Sequence, residues 1–362
     1  MLTDRELLVA ESRAPFSLRR RIDDAGNVEA VRRAAGELRP AVIDLHESGS
    51  APTRIASIIG VLADALTHRL IELTVAELGT APCPFTWLAL GSIGRREAAP
   101  SSDVDSGLVW DSEDDEAKRY MSELGTRIVR ELGAAGFSGD RYGVTAADPL
   151  FDRSFEAWRR IIRMSIEQPD RDKALIFISL LSDARPVHVS GNPRDPLEEL
   201  GQVWHRRPLL RLMLRLALAH RPPSGLRRLR GPRRDLVLER AGEHQGKFDV
   251  KHEGLSPIVG IARYASLASG VRLTSTRERL DFASTAGVLD GGDARILGEA
   301  HELFWRLRLS HQVEQMHEDL EPDNYIDPES LNPVTRGYVR EAFHAVGAVQ
   351  RSLKGELALP PP

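Results

Sequence analysis

Over the first eighty residues, apolar side chains recur every three to four positions. Glu29–Leu38 and Thr53–Leu78 both carry this spacing, the second with Ile55, Ile58, Ile59, Leu62, Leu66, Leu70 and Leu73 along one stripe. That period predicts helices that each bury one face. The stretch Glu47-Ser-Gly-Ser-Ala-Pro52 between them predicts a loop, with Thr53 placed to cap the long helix. Pro82 and Pro84 end the helical pattern. Phe85-Thr86-Trp87-Leu88-Ala89-Leu90 is a short run of strand formers, Ser106–Trp110 is a second, and Val187-His188-Val189 is a third. Asp111–Glu116 reads as a solvated acidic loop, and Glu116–Leu132 as an amphipathic helix closed by Gly133 and Gly136. Ala174–Leu181 is an apolar run, broken only by Ser179, and fits helix or strand. Helical spacing returns from residue 196, over Leu209–Ala219, Asp293–Leu320 and Pro333–Lys354, before a frayed tail at Leu357–Pro362. The order predicts an α+β chain in three parts: a helical segment at 1–80, a small mixed sheet with helices at 81–195, and a helical domain at 196–362.

Composition narrows the class. A chain of 362 residues is too long for one ordinary core, and 41% hydrophobic with 28% charged residues is a folded globular balance. The formal net charge of -4 gives no overall drive toward nucleic acid or an anionic membrane. Cys83 is the single cysteine, which excludes an intrachain disulfide or a thiolate metal cluster and fits a reducing compartment. The N-terminus is charged from its start, without a signal-like apolar region, and the longest apolar stretches, such as Leu209–Leu218, are broken by arginines. A cytoplasmic protein without a membrane span is expected.

The chemistry concentrates between the first two strands. Asp103 and Asp105 are two apart, so on an extended segment they point to one face. Paired carboxylate oxygens suit Mg²⁺, which takes its remaining ligands from water and substrate phosphates. A third carboxylate would admit a second ion. Gly91 and Ser92 directly follow the first strand, where glycine lets backbone approach a phosphate and the serine hydroxyl adds a donor. A lone D-x-D or G-S-x-G is usually just a turn. The ordered combination G-S-x-G-R-x-E-x(5)-D-x-D between two apolar strands is far more specific, and points to a metal-bound nucleotide. Arg95 has two roles open: facing the triphosphate, or buttressing the turn by pairing with acids.

This pattern resembles the nucleotidyltransferase domain of the polymerase-beta-like superfamily. Within it, the chain looks like the family related to the N-terminal domain of protein-PII uridylyltransferase. Leu181-Ser182-Asp183-Ala184-Arg185 is similar to the family's F-D-x-R segment. Phe248–Ile258, Thr276–Leu280, Arg306–Gln312, Pro322–Asn324 and Ile326–Pro328 are similar to its helical substrate-binding-type C-terminal domain. The resemblance implies Asp103 and Asp105 as metal ligands, Gly91 and Ser92 as phosphate contacts, and Asp183 as candidate third carboxylate, the alternative being a turn aspartate paired with Arg185. It implies transfer of a nucleoside monophosphate from NTP to the hydroxyl of a protein or small-molecule acceptor, regulatory proteins included. HD hydrolase and ACT sensor regions have no counterpart in this sequence, so a glutamine-controlled cycle is not implied. A nucleotide-sensing module without turnover is the competing reading.

Other features carry less. Lys251 either reaches nucleotide or acceptor, or is a structural strand lysine. Arg308 and His311 share one helix face and either line an acceptor cleft or satisfy the core. The basic run Leu226–Arg234 has no interleaved aromatic, which argues for a solvated loop over nucleic-acid binding. His301, His311 and His317 lack a metal-ligand spacing, and no zinc site is expected.

Overall fold

Two apolar runs make the centre of a four-stranded mixed sheet. β1 (Phe85–Ala89) pairs antiparallel with β2 (Ser106–Trp110), in a register that sets Phe85 opposite Trp110 and Ala89 opposite Ser106. β2 is buried along its whole length. β3 (Asp152–Ser154) adds parallel to β2, and β4 (Arg185–Ser190) adds antiparallel to β1, for an order β3-β2-β1-β4. The β1–β4 register slips between Trp87 and Leu88, next to Pro186, which has no N–H for a ladder and sits on an edge strand where that is tolerated. The structure is a computed structural model that describes residues 15–137, 143–170, 173–219 and 242–358. The basic run at 226–234 and the tail beyond 358 lie outside the described residues.

The chain divides into two compact units: residues 1–168 with 183–200, and residues 169–182 with 201–362. The first holds the sheet and the N-terminal helices. These are α1 (15–23), α2 (Val28–Ala35), α3 (Leu38–Glu47) and α4 (Pro52–Leu78), then a single turn α5 (Gly91–Gly94), α6 (Asp115–Ala134) and α7 (Phe155–Glu167). Most of the expected stripe of α4 is buried: Ile55, Ile59, Leu62, Leu66 and Leu70 are all within 2% of full burial, each contributing about 1.5–3 kcal/mol, while Ile58 and Leu73 at its margins are half-buried. α4 starts one residue before Thr53, with Pro52 in its first turn and Ala51 at the cap, so the helix opens on a proline and not on a hydroxyl. α6 runs to Ala134 and Gly136 takes a φ of +92° just beyond it, a conformation glycine adopts without strain. Trp158 of α7 is fully buried and its Nε1–H donates to the Leu108 carbonyl at 2.9 Å, so its polar atom is satisfied beneath the sheet. Asp152 on the edge strand differs: its Oδ1 is buried without a hydrogen-bond partner. Burial pushes that carboxyl up to about 7, against the opposing pull of Lys118.

The second unit is helical, with α8 (Ala174–Ser182), α9 (Arg207–Ala217), α10 (Ser256–Ala268), α11 (Thr276–Thr285), α12 (Gly291–His317) and α13 (Pro333–Ala358). The apolar run Ala174–Leu181, open to helix or strand in the sequence, is the helix α8, packed on α9 and α10. A two-residue ladder joins β5 (Phe248–Asp249) to β6 (Tyr325–Ile326). A π-helical turn, Val250–Leu255, follows β5 and holds Lys251, which is therefore not a strand lysine. Its start is fixed by the Asp249 carboxylate, which accepts the His252 N–H at 2.9 Å. Arg279 is 1% exposed and ties α11 to α8, donating to the Ser182 carbonyl at 2.7 Å and to that of Leu273 at 2.8 Å. The fold class is the α+β arrangement expected, with helices before and after the sheet.

Candidate functional site

The end of β1 turns directly into α5. Gly91 has a φ of +53°, and an added Cβ would lie 2.0 Å from Oδ2 of Asp105. Only the absence of a side chain at 91 lets the Asp105 carboxylate rest on that backbone. Asp105 reaches this position because it immediately precedes β2, its carbonyl accepting the Leu90 N–H at 2.9 Å one step beyond the β1–β2 ladder. Asp103 lies two residues earlier in the same irregular segment, and both aspartates are half-buried. Ser92 follows Gly91 on the same turn and is also half-buried. The N–H groups of Gly91, Ser92 and Ile93 open the turn, where no intrahelical carbonyl lies within reach.

An ion-pair framework holds this turn from below. Arg95, 11% exposed, donates through Nε to Glu97 at 2.9 Å and through a terminal nitrogen to Asp183 at 2.5 Å, and the Asp183 side chain is fully buried. Burial by itself would lower the Arg95 pKa, but the Asp183 and Glu97 carboxylates overcome it and hold the guanidinium charged, above its ordinary value. Arg95 is thus paired with both acids, the arrangement that the buttressing role calls for. Asp183 is paired with this arginine and not with Arg185, which instead donates to Asp64 of α4 at 2.9 Å and to the Ile93 carbonyl at 3.2 Å. Gly94 is pressed against the same support: a Cβ there would lie 2.2 Å from the Asp183 carbonyl. Gly60 of α4 approaches the Cα of Arg96, where a Cβ would sit at 3.2 Å, and Arg96 itself adopts a φ of +57°. The turn is thus clamped between α4 and the start of β4.

The structure brings Gly91, Ser92, Arg95, Asp105 and Asp183 into one constellation, with Asp103 on the segment leading into it. Lys251 belongs to the other unit. Asp64 and Gly60 were not singled out from the sequence, and Arg185 only as an alternative partner of Asp183, whereas Glu97 stands in the motif itself. Their signal is spatial, since Asp64 and Arg185 are 121 residues apart. Among the described residues, no group of three or more His, Cys, Asp or Glu side chains is arranged to hold a metal ion.

Residues 36–172, which contain the turn and both aspartates, match the family described as "Putative nucleotidyltransferase DUF294". The chain belongs to this nucleotidyltransferase family. Residues 207–357 match its companion model, "Putative nucleotidyltransferase substrate binding domain", so the two matches together span most of the chain. Membership brings nucleotidyl transfer as the activity and a nucleoside triphosphate as the substrate. No match to a curated protein was found. No helix among the described residues is long and apolar enough to cross a membrane.

Proposed function

We propose that the Gly91–Ser92 turn and the Asp103/Asp105 pair form a Mg²⁺-dependent site that moves a nucleoside monophosphate from NTP to an acceptor hydroxyl, releasing pyrophosphate. The observation that carries this reading is the seat of the Asp105 carboxylate against Gly91, where a Cβ would collide with Oδ2. Backbone donors and a metal-ligating carboxylate are thereby kept in direct apposition, as a triphosphate bound to a cation requires. Asp103 and Asp105 would give Mg²⁺ its protein oxygens. One or two carboxylates suffice when phosphates and water complete the shell, so a cluster of three ligands is not needed. When bound, the ion would neutralise charge on the phosphates and orient them.

The chain's own groups divide the remaining work. Gly91 and Ser92 would donate to phosphate oxygens, from backbone N–H groups and from the serine hydroxyl. Arg95, committed to Glu97 and Asp183, would hold the turn in place and add a buried positive charge behind it. Asp183 enters through Arg95: as a third carboxylate it would first have to release that cation, so it fixes the turn and does not meet the substrate. In this reading residues 81–195 carry the transfer chemistry, residues 1–80 brace them, and residues 196–362, with Lys251 among them, take the acceptor. The acceptor would be a regulatory protein, as for protein-PII uridylyltransferase, or a small molecule, in the cytoplasm.

The test is pyrophosphate release by the full chain with Mg²⁺ and each NTP in turn, in the presence of cell lysate as acceptor source. Asp103→Asn and Asp105→Asn should each lower release by about 100- to 1000-fold, and EDTA should abolish it. Release equal to that of the variants with every NTP would overturn the proposal. Retained NTP binding in that event would leave a nucleotide-sensing module.

A further inference from the structure

The second unit contains a polar cleft lined by none of the residues assigned to nucleotide or metal. It lies between the C-terminal half of α12 and the connection from β6 into α13, with a volume of about 310 Å³. Arg306, Ser310, His311 and Glu314 line it from α12, and Ile326 and Thr335 face them. Arg308, on the same helix, does not line it: that side chain is buried and donates to the Asn324 side chain at 2.7 Å.

His311 is held in a defined orientation. Its Nε2 is 2.8 Å from Oδ1 of Asp323. Asp323 is itself fixed on every side: Oδ1 also accepts the Tyr325 N–H at 2.9 Å, its N–H donates to Gln315 at 2.8 Å, and its carbonyl accepts from Gln312 at 2.8 Å. Burial would raise the Asp323 pKa, but the bonds from His311 and Tyr325 bring it below the ordinary value, so the carboxylate stays ionised. A carboxylate accepts, so Nε2 is the protonated nitrogen of this pair, and in that tautomer Nδ1 is the ring's acceptor. Among the described residues the ring makes no second hydrogen bond. An imidazole so oriented, with an open acceptor nitrogen in a polar cleft, suits a ligand hydroxyl.

Charge defines the ends of the ligand. Arg306 and Glu314 are eight residues apart on α12, about 12 Å along the axis, and His311 lies between them. Neither side chain forms an ion pair with another described residue. One cation and one anion flanking a hydroxyl acceptor complement a molecule with the opposite charges at its two ends.

We propose that this cleft binds a small hydroxyl-bearing zwitterion, with its anionic group at Arg306, its ammonium at Glu314 and its hydroxyl donating to His311. The proposal rests on the nucleotidyltransferase reading only in that such a molecule would be a hydroxyl acceptor or a regulator of the transfer. The test uses the full chain without nucleotide or metal, titrated calorimetrically with 4-amino-3-hydroxybutanoate. 4-Aminobutanoate and 3-hydroxybutanoate are the arms that lack the hydroxyl and the ammonium. Saturable binding of the first is expected, at least about tenfold tighter than either truncated probe, since one lost polar contact to a charged or oriented partner is worth about that factor. H311Q should reduce it about tenfold, and R306Q, a change at an exposed position that does not threaten folding, should do the same. No binding of any probe, equal binding of all three, or unchanged affinity in R306Q and H311Q would each overturn the proposal. Nucleotide is absent throughout, so such a failure leaves the pyrophosphate assay, and the reading it tests, unaffected.

Discussion

Replacing Arg95 with methionine removes a guanidinium that pairs with two buried carboxylates while keeping the length of the side chain. Asp183 is 0% and Glu97 11% exposed, so neither can recover its hydration when the cation goes. Breaking a buried ion pair from one side costs about 3–5 kcal/mol, because the remaining charge is left uncompensated. For a unit of this size each kcal/mol lowers the melting temperature by roughly 2–4 °C, which predicts a fall of roughly 6–20 °C. The deficit should depend on pH in a defined direction. An unpaired buried carboxyl has its pKa raised above the unfolded value, so the variant loses stability as pH rises and recovers it as pH falls and the carboxyls take up protons. Asp183→Asn in the same background removes one of the stranded charges and should restore much of the loss. The assay is scanning calorimetry of wild type, R95M and the R95M/D183N pair at pH 7.5 and 5.5. A variant that melts within about 2 °C of wild type at pH 7.5, or whose deficit is the same at both pH values, would refute the buttress argument.

Two further outcomes follow from the geometry. Gly91→Ala would force the Asp105 carboxylate off the turn, since the new Cβ would sit 2.0 Å from Oδ2; pyrophosphate release should fall about 100-fold, as expected for a displacement near 1 Å at a reacting site, while circular dichroism stays that of wild type. Asp152 has a folded pKa of about 7, above its unfolded value, so its contribution is complete at acid pH and declines as pH climbs toward 7. Asp152→Asn should flatten the stability profile between about pH 4 and 7, a span in which a single proton can change stability by at most about 1.4 kcal/mol per pH unit; urea melts at three pH values would check this, and an unchanged slope would count against a buried Asp152.

The parts of this fold that show in the sequence are those in which one physical signal dominates. α4 and α6 carry long stripes, β1 is an apolar run between Pro84 and Gly91, and β2 is one between Asp105 and Asp111, so period and punctuation agree. The turn and the D-x-D segment are legible for the same reason, because spacing alone places them at the ends of those strands. β3 was not visible: Asp152-Arg153-Ser154 is polar, three residues long and paired to β2 only through the backbone. α8 was ambiguous because every position in Ala174–Leu181 except Ser179 is apolar, so no period distinguishes its faces. The support of the site was illegible for a different reason. Arg95 and Asp183 are 88 residues apart, and the choice of Arg95 over Arg185 as the partner of Asp183 is made by the packing of β4 beside β1.

The alternation of the chain between its two units bears on its synthesis and its inheritance. The polypeptide leaves the sheet-bearing unit after residue 168, returns at 183 and leaves again after 200. β1 therefore emerges from the ribosome well before its neighbour β4, and one edge of a central strand must wait unpaired while residues 90–184 are made. A shortened gene ending at residue 172, where the first family match stops, would leave that edge open for good. Recombination faces the same constraint. No single crossover separates the two units cleanly, so a lineage that exchanged one for another would have to carry the segment 169–182, with α8 in it, along with it.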